Sequence, residues 1–192
     1  MKHSLNAEKR KKGPLLWAVF ITILMLGSTI GYVFSGFQDN TQEKADHIYK
    51  TYSFTKTESG WVFFKDNKQV YVDYLPEEVE SIDFTTIPFD KGKVYAAFKS
   101  TEKDSSLDYS LGKVYTFLKE RDYNPFFACI LEEGCPDIPI VDCQESSFPI
   151  VLFKNGDATK IYIDGQCTVL EGDSLGLSRA SDRFIYGTLG VI

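Results

Sequence analysis

Residues Pro14 to Phe34 read PLLWAVFITILMLGSTIGYVF, 21 residues without a single charge. At roughly 1.5 Å per helical residue, such a run matches the ~30 Å hydrocarbon layer of a bilayer. The chain is therefore expected to carry a transmembrane helix over 14–37. Lys2, Lys9, Arg10, Lys11 and Lys12 precede the run against Glu8, whereas Asp39, Glu43 and Asp46 follow it. The positive-inside bias then keeps residues 1–13 in the cytoplasm as a basic tail and places everything after the span outside the cell membrane. Trp17 and Tyr32 sit near opposite ends of the run, where amphipathic rings favour the headgroup region. The competing reading is a cleaved signal peptide, but the apolar run continues through Ile30 to Phe34 and no A-x-A pattern marks a cleavage site. Gly27, Gly31 and Ser35 recur four apart, which puts small residues on one helix face where a membrane partner or a second copy of the chain could approach.

Of the 192 residues, those beyond the span suffice for one domain. With 43% hydrophobic and 15% aromatic residues, the chain can fill a core and is not a disordered stalk. The basic tail holds a balance of +4 out of an overall −6, which leaves −10 on the rest of the chain. Such an acidic domain repels nucleic-acid phosphates, so no nucleic-acid partner is expected.

After a juxtamembrane linker over 38–52, the domain is expected to occupy 53–192. The runs TYSFTKT, WVFFK and VYVDYL, separated by polar turns, predict an antiparallel meander. Pro76 opens a short helix to Ile82, with Glu77 and Glu78 complementing its dipole. The nearly continuous apolar run Lys93–Phe98 predicts a central strand. Leu107, Leu111, Val114 and Leu118 then mark a helix, with Ser105 and Asp108 at capping-box positions. Strand, helix and the following PFFACI form a βαβ unit with parallel strands. Phe148–Lys154 is expected to form a hairpin with ATKIYI across Asn155-Gly156-Asp157. A second hairpin should follow across Asp164-Gly165, and a last helix should run from Asp173 or Ser174 to Gly190. The fold class is a transmembrane helix plus one α/β (α+β) domain with a mixed sheet.

FPIVLFKNG, Phe148 to Gly156, resembles the stretch of the thioredoxin fold in which a cis-proline opens a strand and a hairpin follows. With Lys93–Phe98 and the Leu107–Leu118 helix upstream, the resemblance implies a thioredoxin-like arrangement of residues 93–190. Where that family carries CxxC, this chain has Ser100, Thr101, Glu102 and Lys103, so no redox residue is carried over. GQCTVLEG and RASDRFIYGTLGVI are similar to the close of small archaeal single-pass membrane proteins of uncharacterised activity, a likeness confined to the last third of the chain.

Four cysteines, Cys129, Cys135, Cys143 and Cys167, all follow the span, and an even number in an oxidising compartment reads as two disulfides. Three connectivities are open; Cys129 with Cys135 and Cys143 with Cys167 demands the least rearrangement of the chain. Their spacings lack the closely spaced pairs of a four-cysteine zinc site, and a reactive thiol is the remaining alternative. His3 and His47 fall on opposite sides of the bilayer, which leaves no Ser-His-Asp set and no histidine metal site. The carboxylates Glu77, Glu78, Glu80, Glu132, Glu133, Asp137 and Asp142 read as solvated surface, and Asp182-Arg183 as a surface or packing pair. No glycine-rich phosphate loop is present, and no cofactor is expected. The expected function is a membrane-anchored extracytoplasmic interaction or structural module of the cell envelope. The alternative is a thiol-disulfide enzyme using these cysteines.

Overall fold

The computed structural model describes residues 45–88, 91–102 and 104–192. The predicted span over 14–37, including Gly27, Gly31 and Ser35, lies outside the described residues. Among those described, no helix is long and apolar enough to cross a membrane. Ala45–Ile192 form one compact unit, an α/β domain with two sheets.

The first sheet is an antiparallel meander of β1 (His47–Tyr49), β2 (Tyr52–Thr57), β3 (Gly60–Lys65) and β4 (Lys68–Val72). β1 falls within the stretch read as a linker: it is polar in sequence, yet His47 pairs with Phe54 and joins the sheet. Asp66 and Asn67 turn β3 into β4 with φ of 53° and 59°, the mirror-image turn that suits a right-twisted two-residue hairpin. Phe54 and Phe63 are fully buried, their rings 4.9 Å apart, and Phe63 packs 5.6 Å from the ring of Tyr186 on the last helix. The meander then leads into α1 (Pro76–Val79), shorter than expected because the chain leaves the helix at Glu80.

The second sheet has five strands: β5 (Lys93–Phe98), β6 (Asn124–Cys129), β7 (Ile150–Asn155), β8 (Lys160–Asp164) and β9 (Cys167–Gly172), in the order β6-β5-β7-β9-β8. It is mixed: only β8 runs antiparallel to its neighbour. β5 is interior as its apolar run demands, and α2 (Ser105–Glu120) carries the chain from β5 to its parallel partner β6. The N-cap of α2 is Asp104 rather than Ser105, since the Asp104 carboxylate accepts from the N–H groups of Ser106 and Leu107. α3 (Ser174–Leu189) starts from the Asp173 cap and ends at Gly190, whose φ of 65° is the left-handed stop glycine allows. Leu107, Val114 and Leu118 of α2 and Leu177, Phe184 and Ile185 of α3 bury against one face of this sheet. The other face, with Tyr95, Ala97, Leu152 and Val169, is covered by the connection between β6 and β7, which contributes Val141.

The expected β7–β8 hairpin does not form: β9 lies between them, parallel to β7 and antiparallel to β8. Asn155 and Gly156 do not take the positive φ that a tight turn requires. The Asn155 amide is instead bound to Glu102 O at 2.9 Å and Asp104 Oδ2 at 3.1 Å, at the start of α2. Four consecutive buried residues, Ile150 to Phe153, also demand a neighbour on each side. Pro149 precedes β7 as expected, and its carbonyl accepts from Tyr95 N, but no cis peptide occurs among the described residues. The residues that carried the thioredoxin resemblance thus show neither its cis-proline nor its hairpin. The second hairpin does form, with Gly165 at φ 55° in its turn.

All four cysteines are paired, Cys129 with Cys135 and Cys143 with Cys167. The second bridge joins residues 24 apart and pins the β6–β7 connection to the start of β9. Closing a loop of that size is worth roughly 3 to 4 kcal/mol in the chain-entropy account. Cys143→Ser should lower the melting temperature by roughly 10 °C. Cys167→Ser should match it, and the double variant should lose no more, as partners of one bond require. Additive losses in thermal melts would contradict a shared bridge.

Candidate functional site

One face of α2 carries Tyr109, Gly112, Lys113, Thr116 and Glu120, a helical spacing that turns these residues toward the start of β3 and toward β4. Strand and helix are clasped at two places. At one end, Lys68 Nζ donates to Glu120 O at 2.6 Å and pairs with Asp122 at 2.9 Å. At the other, Asp73 receives Lys113 Nζ and the Tyr109 hydroxyl, each at 2.7 Å. Between the clasps lies a cleft of about 450 Å³, within the range of ligand sites. Trp61, Tyr71 and Tyr109 stand in its walls, and Val70 and Phe117 lie deeper.

The Asp73 clasp is the visible edge of a buried polar cluster. Asp182 on α3 has no exposed surface. Its Oδ2 accepts from the backbone N–H groups of Asp73 and Tyr74 at 2.8 and 2.9 Å, and its Oδ1 lies 2.8 Å from Lys113 Nζ. Ser178, one turn earlier on α3, donates its hydroxyl to Asp73 and takes a 3.1 Å bond from Lys113. Burial pushes the Asp182 carboxyl up to about 6, against the pull of Lys113. Burial also draws Asp73 upward, but the donors Lys113, Ser178 and Tyr109 outweigh it and hold this carboxyl below its usual range. Tyr109 is raised, first by burial and then by the adjacent Asp73.

This chemistry suits anchoring and binding. The Lys113 ammonium is committed to two carboxylates, and the raised Tyr109 phenol keeps its proton, so neither is poised as a nucleophile or base. Among the described residues no group of three His, Cys, Asp or Glu side chains could hold a metal ion. A second carboxylate, Glu171, is saturated in the same manner by Lys154, Lys160 and Tyr162.

The cysteines gather as two bridges away from this cleft, since none of them lines it. His47 lies on β1, 2.8 Å from Glu77 Oε1, rather than in a linker. Asp182 and Arg183 part company: Asp182 faces the buried cluster, while Arg183 donates to the carbonyls of Ile82 and Ile192. Asp73, Tyr109, Lys113 and Asp182 were not legible as a group in the sequence. Lys113 lies off the stripe of Leu107, Leu111, Val114 and Leu118, where a lysine is ordinary, so nothing in the helix pattern marked it.

Because the native carboxyl of Asp182 titrates above its unfolded value, its stabilising contribution is complete below about pH 4 and is lost as the pH rises through about 6. Urea melts of the wild type and Asp182→Asn should show a stability difference that shrinks by about 2 to 3 kcal/mol across that window. A difference that grows with pH would mean that Lys113 and the two amides hold this carboxylate ionised throughout.

No family model, no curated protein and no solved structure matches the chain, so what the domain does has to be read from its own residues.

Proposed function

We propose that the protein is a membrane-anchored, extracytoplasmic interaction module of the cell envelope, held by a span over 14–37 with residues 1–13 in the cytoplasm. The observation that carries this reading is the closure of all four cysteines into two bridges, with Cys129 and Cys167 having no exposed surface. Such bridges persist in an oxidising compartment, which is where the charge bias around the uncharged run would deliver the domain. In each bridge one cysteine is buried and its partner, Cys135 or Cys143, is partly exposed. No free thiol stands among the described residues to attack them, which weighs against a thiol-disulfide enzyme. In the membrane, Gly27, Gly31 and Ser35 would form the face for a partner helix or a second copy of the chain. The acidic surface and the cleft beside α2 then serve recognition outside the cell.

Epitope tags at the two ends test the topology. The C-terminal tag should be reached on intact cells, and the N-terminal tag only after permeabilisation. A mature N-terminus near Ile30 would show that the run is a cleaved leader. Maleimide titration of the unreduced full chain should find no thiol, whereas a fast-reacting thiol would favour the enzyme.

A further inference from the structure

We propose that the cleft between β4 and α2 is a docking groove for an extended peptide segment bearing lysine or arginine side chains, which adds to the open edge of β4 as a further strand. The proposal deepens the reading of the domain as an interaction module and does not depend on the anchor.

Backbone geometry comes first. β4 is the edge strand of the meander. The two-residue turn at Asp66 and Asn67 makes Lys65 and Lys68 a hydrogen-bonded pair, and antiparallel pairing alternates from there along the register to Trp61 and Val72. Gln69 and Tyr71 therefore turn their N–H and C=O groups away from β3. The alternation is checked by Asp73: its N–H also points outward, and there the Asp182 carboxylate takes it. Beyond Asp73 the edge is closed. At Lys68 the side chain crosses to Glu120 and Asp122. Between the clasps, the outward groups of Gln69 and Tyr71 meet no strand among the described residues. An exposed edge beside a helix offers an extended chain main-chain hydrogen bonds on one side and room for alternate side chains on the other.

The helix wall supplies a second, independent observation. Gly112 sits inside the 16-residue α2, where glycine is destabilising relative to alanine. Its φ is not positive, and a Cβ built there meets nothing within 4 Å. Neither backbone conformation nor packing in the domain asks for glycine at this position. A ligand backbone passing close to the helix does.

Charge selects the occupant. The charged side chains lining the cleft are Asp73, Asp108 and Glu120 against Lys113, and with Lys56 over the Trp61 wall the formal balance is −1. The ammonium of Lys113 is shared between Asp73 and Asp182. The aromatic walls already accept cations: Lys56 Nζ lies 5.6 Å from the Trp61 ring centre and Lys113 Nζ 5.4 Å from that of Tyr109. An acidic peptide would be repelled. At ~3.3 Å per residue, four or five residues of single strand span β4.

The test is to pan a random linear heptapeptide library against the full chain in nanodiscs of zwitterionic lipid, with depletion on empty nanodiscs. The enriched sequences should carry Lys or Arg at alternate positions. Synthetic copies should bind roughly tenfold or more weakly to Gly112→Leu. That variant should melt no lower than the wild type, because a Cβ there meets nothing within 4 Å and leucine favours the helix over glycine. On the peptide itself, N-methylation of every second amide, in the register facing β4, should abolish binding. The same change in the other register should be tolerated. No enrichment, enrichment of neutral or acidic sequences, unchanged affinity for Gly112→Leu, or tolerance of N-methylation in both registers would each overturn the proposal. Any of these leaves the anchor and the bridges as they stand. A free thiol or an inverted topology would sink the anchored-module reading and leave peptide binding unaffected.

Discussion

One carboxylate holds two sheets in one domain. Asp182 sits on α3, which packs on the five-stranded sheet, but both of its oxygens are spent on other elements: two backbone N–H groups where β4 ends, and the ammonium of Lys113 on α2. A carboxylate without exposed surface is costly unless it is paired. Removing it would leave the amides of Asp73 and Tyr74 without their acceptor and take from Lys113 one of its two carboxylates. The meander is therefore tied to the helices at its exit as well as through the Phe54, Phe63 and Tyr186 rings. The Tyr186 hydroxyl reinforces this tie by donating to Tyr74 O at 2.8 Å.

Fixing the end of β4 also determines what the rest of that strand can do. With Asp73 locked to Asp182 and Lys68 bound to Glu120, the strand is held alongside α2 but not against it. The gap is a consequence of clasping a straight edge to a helix at two points. Gly112 leaves the helix wall of the gap bare, at a cost in helix propensity of about 1 kcal/mol relative to alanine. A cleft made this way is preorganised, since its walls are set by the same bonds that stabilise the domain, and an entering strand would have little to rearrange.

Local patterns in the sequence predicted the elements well because they depend on local chemistry. The Pro76 start, the apolar run of β5 and the Asp173 to Gly190 limits of α3 each rest on neighbours a few residues away. The order of strands does not. Asn155-Gly156 reads as a tight turn, yet the Asn155 amide is taken by Glu102 and Asp104, about fifty residues earlier in the chain, and β9 inserts between β7 and β8. The site failed to show for the same reason. Asp73, Lys113 and Asp182 are each an ordinary charged residue in sequence, and only the packing of β4, α2 and α3 makes them a cluster. The cysteine pairing succeeded because near neighbours in sequence were also near in space.

The bridges bear on more than stability. Helices cover only one face of the five-stranded sheet; the other face depends on the connection between β6 and β7, whose apolar contribution is chiefly Val141. That connection carries Pro136 and Pro139 and no helix or strand of its own. A β-bridge between Cys129 and Ile140 and a hydrogen bond from Gln144 to Asp164 hold it to the sheet. Cys135 and Cys143 add two covalent attachments, to the end of β6 and to the start of β9. Reduction would leave the cover over Tyr95, Leu152 and Val169 held by the non-covalent contacts alone. A sheet face whose cover is pinned by disulfides keeps those pins in an oxidising compartment. That is one ground for the placement outside the cell that we propose.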